Sequence, residues 1–185
     1  FAHMNEIRSI IGPDRPLHIQ VTALDTEGML RDADTLLSKV DPEVYVKVPV
    51  TMEGIKAIKQ MKARGIHVTG TAIYGKQQGF LAMEAGADYI APYFNRMENM
   101  GLDSDDVIAS LADMIDLYHY DTQILAASFK NAGQIDRAFL AGAHTATMDP
   151  SILKDVLTQP YITNAVDTFD SDWKTIFGDQ TISEL

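Results

Sequence analysis

Short apolar segments alternate with amphipathic helical segments along the whole chain, and this alternation restricts the possible folds more than any other feature. The apolar segments have the length and composition of strands, and they lie at 17–22, 44–50, 66–73, 89–93, 123–129 and 145–148. Alternating strands and helices are typical of a parallel sheet with helical crossovers. Two α/β architectures meet this requirement: an open, doubly wound sheet and a (β/α) barrel.

The placement of polar residues within the strands favours the barrel. In residues 44–50 the valines fall on one face, whereas Tyr45 and Lys47 fall on the other. Residues 18–22 and 67–72 also have one polar face. Strands of an open sheet that is covered by helices on both sides are apolar almost throughout. A polar face therefore indicates the interior of a barrel that carries a site at the ends of its strands.

The charge of the chain excludes several classes of partner. In 185 residues, 15 lysines and arginines stand against 26 aspartates and glutamates, which gives a net charge of −11. A surface this acidic repels nucleic acid and anionic membranes, and we expect neither as a partner. Cysteine is absent, so disulfides, thiolate metal sites and a cysteine nucleophile are excluded. We expect a single domain over 1–185 that works in the cytoplasm.

Lys47 is the most informative residue for chemistry. It lies near the end of a valine-rich strand, on the face opposite the valines. Burial at this position would lower the pKa of the amine and free it as a nucleophile toward carbonyl groups. The alternative is a lysine at an exposed strand edge whose amine reaches water. The spacing alone leaves both interpretations open.

Hydrogen-bonding side chains also collect at the ends of other predicted strands. They are Gln20, Thr71, Tyr93 and Ser128, followed in the adjoining loops by Arg96 and Lys130. In a barrel these strand ends converge on one site. Each residue alone is more often a satisfied polar group, so it is their shared position that indicates a site.

Other kinds of site have no motif in the sequence. The five histidines show no metal-ligand spacing, the glycines form no phosphate-binding motif, and no serine nucleophile motif is present. Phe169, Trp173 and Phe177 follow one another at helical spacing, in a C-terminal helix expected over about 161–185. This stripe predicts a packing face, either on the barrel or on a neighbouring subunit.

Four segments resemble motifs of the small transaldolase family of class I, Schiff-base aldolases. They are 46–51, 70–74, 91–96 and 125–130. They occur in the family's order and spacing, and the resemblance covers essentially the whole chain. It implies a (β/α)8 TIM barrel of the transaldolase type, a metal-free mechanism without a cofactor, and a small-molecule sugar phosphate as the substrate.

The resemblance also implies a role for each matching residue. Lys47 matches the lysine that forms an imine with the donor ketone. Gln20, Thr71 and Tyr93 match residues that hold a catalytic water, and Arg96 and Ser128 match the phosphate-binding pair. Family members assemble as pentamers and decamers in which the C-terminal helix reaches a neighbour, so the resemblance implies a homo-oligomer.

The implied reaction is the cleavage or formation of fructose 6-phosphate from dihydroxyacetone and glyceraldehyde 3-phosphate. The first alternative is a transaldolase, in which a phenylalanine and a glutamate stand where this chain has Tyr93 and Gln20. A second alternative is a barrel that binds sugar phosphate without turnover, which has no need of a buried amine at Lys47. A third is another Schiff-base aldolase, which would lack the spacing from Tyr93 to Arg96.

The chain departs from the family pattern at its start. The family has two strands before the one that contains Gln20, and six strands cannot close an eight-stranded barrel. We therefore expect two further strand–helix units to precede this stretch in the natural protein. The alternative is a start at Met4 after a cloning remnant. We also expect the strands that contain Gln20 and Thr145 not to pair, because direct pairing would close a six-stranded barrel of another architecture.

Overall fold

Strands and helices alternate as the sequence predicts, in a computed structural model that describes residues 1–185. The strands are His18–Gln20 (β1), Tyr45–Pro49 (β2), Val68–Ile73 (β3), Tyr89–Pro92 (β4), Gln123–Ala126 (β5) and Thr145–Ala146 (β6). The helices are Ala2–Ile11 (α1), Thr26–Lys39 (α2), Met52–Ala63 (α3), Lys76–Glu84 (α4), Phe94–Asn99 (α5), Ser104–Tyr118 (α6), Ala132–Leu140 (α7), Pro150–Leu157 (α8) and Pro160–Phe177 (α9). A 3-10 turn follows at Ile182–Glu184.

The six strands form one parallel sheet in the order β1-β2-β3-β4-β5-β6. Each strand pairs in parallel with the next strand along the chain. β1 and β6 are therefore the two edges of the sheet, and they do not pair with each other. This confirms the prediction for the strands that contain Gln20 and Thr145.

The sheet is strongly curled toward one face. Neighbouring strands are about 4.8 Å apart, so a flat sheet would separate β1 from β4 by about 14 Å. Instead, the ring centroids of His18 on β1 and Tyr89 on β4 lie 5.0 Å apart. The strands thus form a half-barrel, and these side chains lie on its concave face.

The two faces of β2 differ as the alternation predicts. Val44, Val46 and Val48 are completely buried, and β2 packs against α2 and α3 on the convex side. Tyr45 and Lys47 are half-buried on the concave side. The polar face predicted for this strand is therefore confirmed as the inner face of the half-barrel.

The loops of the β3–α4 and β5–α7 units have the same backbone conformation and the same hydrogen bond, 56 positions apart in the chain. Ala72 and Ser128 both adopt a positive φ, of 56° and 66°. In both loops a glutamine of the following helix, Gln78 or Gln134, accepts a hydrogen bond from the backbone N–H two residues after the positive-φ residue, at 2.9 and 2.8 Å. These bonds fix the two loops at the C-terminal edge of the sheet, where the sequence predicts a site.

The chain divides into two compact units, Phe1–Met148 and Asp149–Leu185. The first unit contains the sheet with α1 to α7, and the second contains α8, α9 and the 3-10 turn. α9 begins at Pro160, one residue before the predicted boundary of the C-terminal helix. That 1–185 act as one barrel domain stays a prediction. None of the helices combines the length and the apolar character that crossing a membrane requires.

Candidate active site

Lys47 lies on the concave face, in the middle of β2. Its partners in the sheet register are Gln20 on β1 and Thr69 on β3. The side-chain amine makes no hydrogen bond and no ion pair, and burial lowers the pKa of Lys47 below the usual value of 10.5. A partly desolvated amine without a counter-ion is more often neutral, and the neutral amine is the nucleophile.

Gln20 ends β1 directly beside Lys47. Its side chain is exposed at the edge of the sheet and lines a cavity of about 230 Å³. Ile19 and Leu36 form the apolar part of this cavity, which extends to Met4 of α1. The sheet register therefore places the predicted amide and the predicted amine side by side, on the edge strand β1 and its neighbour β2.

Thr71 and Tyr93 are joined by a hydrogen bond. Thr71 on β3 is completely buried, and its Oγ1 donates to Oη of Tyr93 at 3.1 Å. The register partner of Thr71 is Pro49, which shares the concave face with Lys47 because residues two apart on a strand point to the same side. The phenol of Tyr93 therefore lies at the C-terminal edge of the same face.

Arg96 is held by two tyrosines. It belongs to α5, the short helix that follows Tyr93, and its Nη1 donates to Oη of Tyr74 at 3.0 Å. The guanidinium also lies over the ring of Tyr93, 4.8 Å from the centroid, and the two tyrosine rings meet edge-on at 5.6 Å. Arg96 is exposed, so its remaining N–H groups are free to bind an anion.

Ser128 lies in the loop after β5, next to the start of α5. Its carbonyl oxygen accepts a hydrogen bond from the N–H of Asn95 at 2.9 Å, and the carbonyl of Ala127 accepts one from the N–H of Phe94 at 2.9 Å. These bonds hold the loop after β5 against the first turn of the helix that carries Arg96. Ser128 and Arg96 therefore lie in adjoining segments at the C-terminal ends of β5 and β4.

Tyr74 contacts both Tyr93 and Arg96, and no role for it was predicted from the sequence although it ends the 70–74 motif. Regular alternation would direct Tyr74 away from the side of Thr71. Ala72 interrupts the alternation, because its φ of 56° lies in the left-handed region and the register with β4 shifts between Gly70 and Ile73. The irregular strand end is what turns Tyr74 toward the site.

His18 and Thr69 also lie on the concave face, and no role for either was predicted from the sequence. Nδ1 of His18 and Oγ1 of Thr69 share a hydrogen bond of 2.8 Å that joins β1 to β3. The polar faces of 18–22 and 67–72 contained the signal that both residues point inward. The sequence could not show that they meet.

The concave face offers three kinds of reactive group, from Lys47 on β2 toward the C-terminal ends of the strands. Lys47 supplies an amine that can attack a carbonyl carbon, and the Thr71–Tyr93 pair supplies hydroxyl groups that can hold a water and pass a proton. Arg96 supplies a cation for a phosphate. This combination suits covalent chemistry on a phosphorylated ketone. No group of three or more His, Asp or Glu side chains is arranged to hold a metal ion.

Comparison with known proteins finds relatives over nearly the whole chain. Residues 1–182 match the profile of a family described as transaldolase/fructose-6-phosphate aldolase. A probable fructose-6-phosphate aldolase of Streptococcus pneumoniae is 44% identical over 182 residues, which are 98% of this chain and 82% of the relative. A probable transaldolase of a Chelativorans species is 38% identical over 160 residues, which are 86% of this chain and 73% of the relative.

Proposed function

The chain belongs to the transaldolase/fructose-6-phosphate aldolase family, and from this premise we propose that it is a class I aldolase acting on fructose 6-phosphate through a Schiff base on Lys47. The observation that carries the proposal is the Lys47 amine, which is partly buried, has no partner and has a lowered pKa. It lies on the concave face that ends at Thr71 and Tyr93.

In the proposed reaction, Nζ of Lys47 attacks the C2 carbonyl of fructose 6-phosphate, and loss of water gives a protonated imine. The C4 hydroxyl then loses its proton to a water held by Gln20, Thr71 and Tyr93. The C3–C4 bond breaks and its electron pair moves into the imine, which leaves an enamine and releases glyceraldehyde 3-phosphate. Protonation at C3 restores the imine, and addition of water releases dihydroxyacetone and free Lys47. The lysine adduct is the electron sink, so the proposed reaction uses no cofactor.

A transaldolase is the second candidate, because one of the similar proteins is named a probable transaldolase. A transaldolase passes the enamine to a second aldehyde, whereas an aldolase protonates it and releases a free ketone. A phenol and a neutral amide can hold and orient the water that delivers this proton. Tyr93 and Gln20 therefore favour the aldolase.

The direct test is turnover of fructose 6-phosphate with no acceptor aldehyde added. We expect equal release of glyceraldehyde 3-phosphate and dihydroxyacetone, measured by separate coupled assays. Turnover that requires an added aldehyde would identify a transaldolase instead. Saturable binding of fructose 6-phosphate without any product would identify a sugar-phosphate-binding protein and contradict the proposal.

Arg96 is proposed to bind the substrate phosphate, with Ser128 in the adjoining loop. We expect Arg96→Ala to raise the KM for glyceraldehyde 3-phosphate in the synthesis direction about 10- to 100-fold, because hydrogen bonds to charged groups contribute about 1.5–3 kcal/mol. The KM for unphosphorylated glyceraldehyde should change far less. Arg64→Ala is the matched control, since Arg64 is an arginine paired with Asp34 outside the site. Equal effects of Arg96→Ala on the two aldehydes would indicate a structural role for Arg96.

We also propose that the half-barrel is part of a (β/α)8 barrel of the transaldolase type. β1 and β6 present unpaired backbone groups at the two edges of the sheet, and open edges of this kind favour pairing with further strands. The matched region covers 82% of the Streptococcus pneumoniae relative, so that relative has further residues outside the match. Two more strands between β6 and β1 would complete the barrel around Lys47.

The proposed enzyme is a homo-oligomer of the cytoplasm, where sugar phosphates are metabolised. α9 supports the first part of this proposal, because it has no buried residue and exposes large apolar side chains. Phe169 is 69% exposed, and the rings of Trp173 and Phe177 pack on each other with centroids 4.4 Å apart. This stripe is the proposed contact with a neighbouring subunit.

A further inference from the structure

We infer that His18 is a positioning residue for Lys47: together with Thr69 it closes the interior of the half-barrel directly beneath the Lys47 side chain and keeps water from the amine on that side. The inference rests on the proposed function, because it assigns His18 a role only if Lys47 is the nucleophile. The geometry that supports it is the position of one hydrogen bond relative to β2.

The hydrogen bond between His18 and Thr69 crosses the strand that carries Lys47. His18 is on β1 and Thr69 is on β3, yet Nδ1 and Oγ1 are only 2.8 Å apart. In the sheet register His18 is the partner of Tyr45, whereas Thr69 is the partner of Lys47. The bond therefore passes over β2 between Tyr45 and Lys47, on the face from which both side chains project.

Aromatic rings fill the interior on the far side of this bond. The His18 ring stacks on Tyr45 with centroids 5.0 Å apart, and it meets the edge of Tyr89 at 5.0 Å. His67 stacks on the other side of Tyr45 at 4.7 Å. All four residues lie at, or one residue before, the first position of a strand. The rings therefore close the N-terminal end of the half-barrel, and the site of Lys47 opens at the other end.

The His18 ring, which with Thr69 forms the floor beneath Lys47, is uncharged at neutral pH. Burial, and then the positive charge of Lys47, lower the pKa of His18 to about 4, so the imidazole is neutral above that pH. The titratable groups around the ring are Tyr45 and Lys47 on β2 and Tyr89 on β4, with His67 behind Tyr45. Beyond His67 lie the carboxylates of Glu43 and Asp88, at 3.4 and 3.9 Å from its ring nitrogens. A neutral ring that takes the place of water at this position disfavours the ammonium form of Lys47 and so favours the reactive amine.

The experiment measures the pKa of Lys47 in variants of this floor. The protein is incubated with dihydroxyacetone and cyanoborohydride over a series of pH values, and mass spectrometry follows the rate of adduct formation on Lys47. In His18→Ala we expect water to enter the space left by the ring and to reach the Lys47 amine from the N-terminal side of the half-barrel. We expect the pKa of Lys47 to rise by about one unit, which lowers the trapping rate at pH 7 about tenfold. His18→Phe restores the ring volume and should recover most of the rate.

His67→Ala is the matched control, because it removes a ring that stacks on Tyr45 on the side opposite His18 but leaves the hydrogen bond between His18 and Thr69 in place. It should lower the thermal unfolding midpoint without moving the pH profile. If His18→Ala does not fold, His18→Asn replaces it, since it keeps a hydrogen-bonding group for Thr69 but opens the same space to water. It should show the same upward shift.

An unmoved profile in His18→Ala, or in His18→Asn where it replaces that variant, would overturn the inference while the adduct on Lys47 still supported the proposed function. An equal shift in His67→Ala would overturn it as well. The absence of any adduct on Lys47 in the unmodified protein would contradict the proposed function, and the inference would fail with it. The two failures are therefore distinguishable in one set of measurements.

Discussion

Lys47→Arg and Lys47→Ala are expected to abolish turnover of fructose 6-phosphate, with a loss of roughly 10⁴-fold or more in kcat. Neither side chain can form the imine, since alanine has no amine and a guanidinium is not deprotonated in proteins. Borohydride added to the unmodified protein with dihydroxyacetone or fructose 6-phosphate should fix one adduct, and peptide mapping should place it on Lys47. The two variants should show none.

The pH dependence of this trapping follows from the direction of the pKa shift. Only the neutral amine attacks the ketone, so the rate should rise with pH and level off above the pKa of Lys47. Burial lowers that pKa, and the midpoint of the rise should therefore lie below pH 10.5, the ordinary pKa of a lysine. Lys56→Arg is the control, because Lys56 lies on α3 and is paired with Glu53. An adduct on another lysine would rule out the proposed mechanism.

Tyr93→Phe is expected to lower the rate of aldol cleavage about 10²-fold, which is within the range of general acid–base contributions. The change removes the hydroxyl that accepts the hydrogen bond from Thr71 while the ring stays beneath Arg96. Transfer of the dihydroxyacetone unit to an added aldehyde should fall less, because that reaction does not require protonation of the enamine. The measurement compares the two rates for the same variant.

Tyr74→Phe is the matched control for Tyr93→Phe. It removes a phenol that contacts Arg96 but not Thr71, so it should affect the KM for the phosphorylated substrate more than kcat. Tyr93→Phe also leaves the buried Thr71 without its hydrogen-bond partner, which costs stability. The unfolding midpoint of each variant checks that the protein is folded at the assay temperature. Equal losses of cleavage and transfer in Tyr93→Phe would remove Tyr93 from the protonation step.

The sequence by itself determined the α/β class, the parallel sheet and the two faces of its strands. The reason is local: successive side chains of a strand point to opposite sides, so the valines at 44–50 and the polar residues between them had to face different environments. The same rule placed Lys47 on the inner face. The motifs around Lys47, Thr71, Tyr93 and Ser128 carried the family resemblance, because they are contiguous in the chain.

The tertiary structure decided which inward side chains meet. Whether His18 reaches Thr69 across β2 depends on how strongly the sheet curls and on the register of three strands, and no spacing within one segment records either. Whether Tyr74 turns toward Arg96 depends on the left-handed Ala72, which interrupts the regular alternation that would direct Tyr74 to the other side of the sheet. Periodicity is a property of one strand, whereas a site on a curled sheet is formed by several strands, and their curvature brings together residues that are distant in sequence.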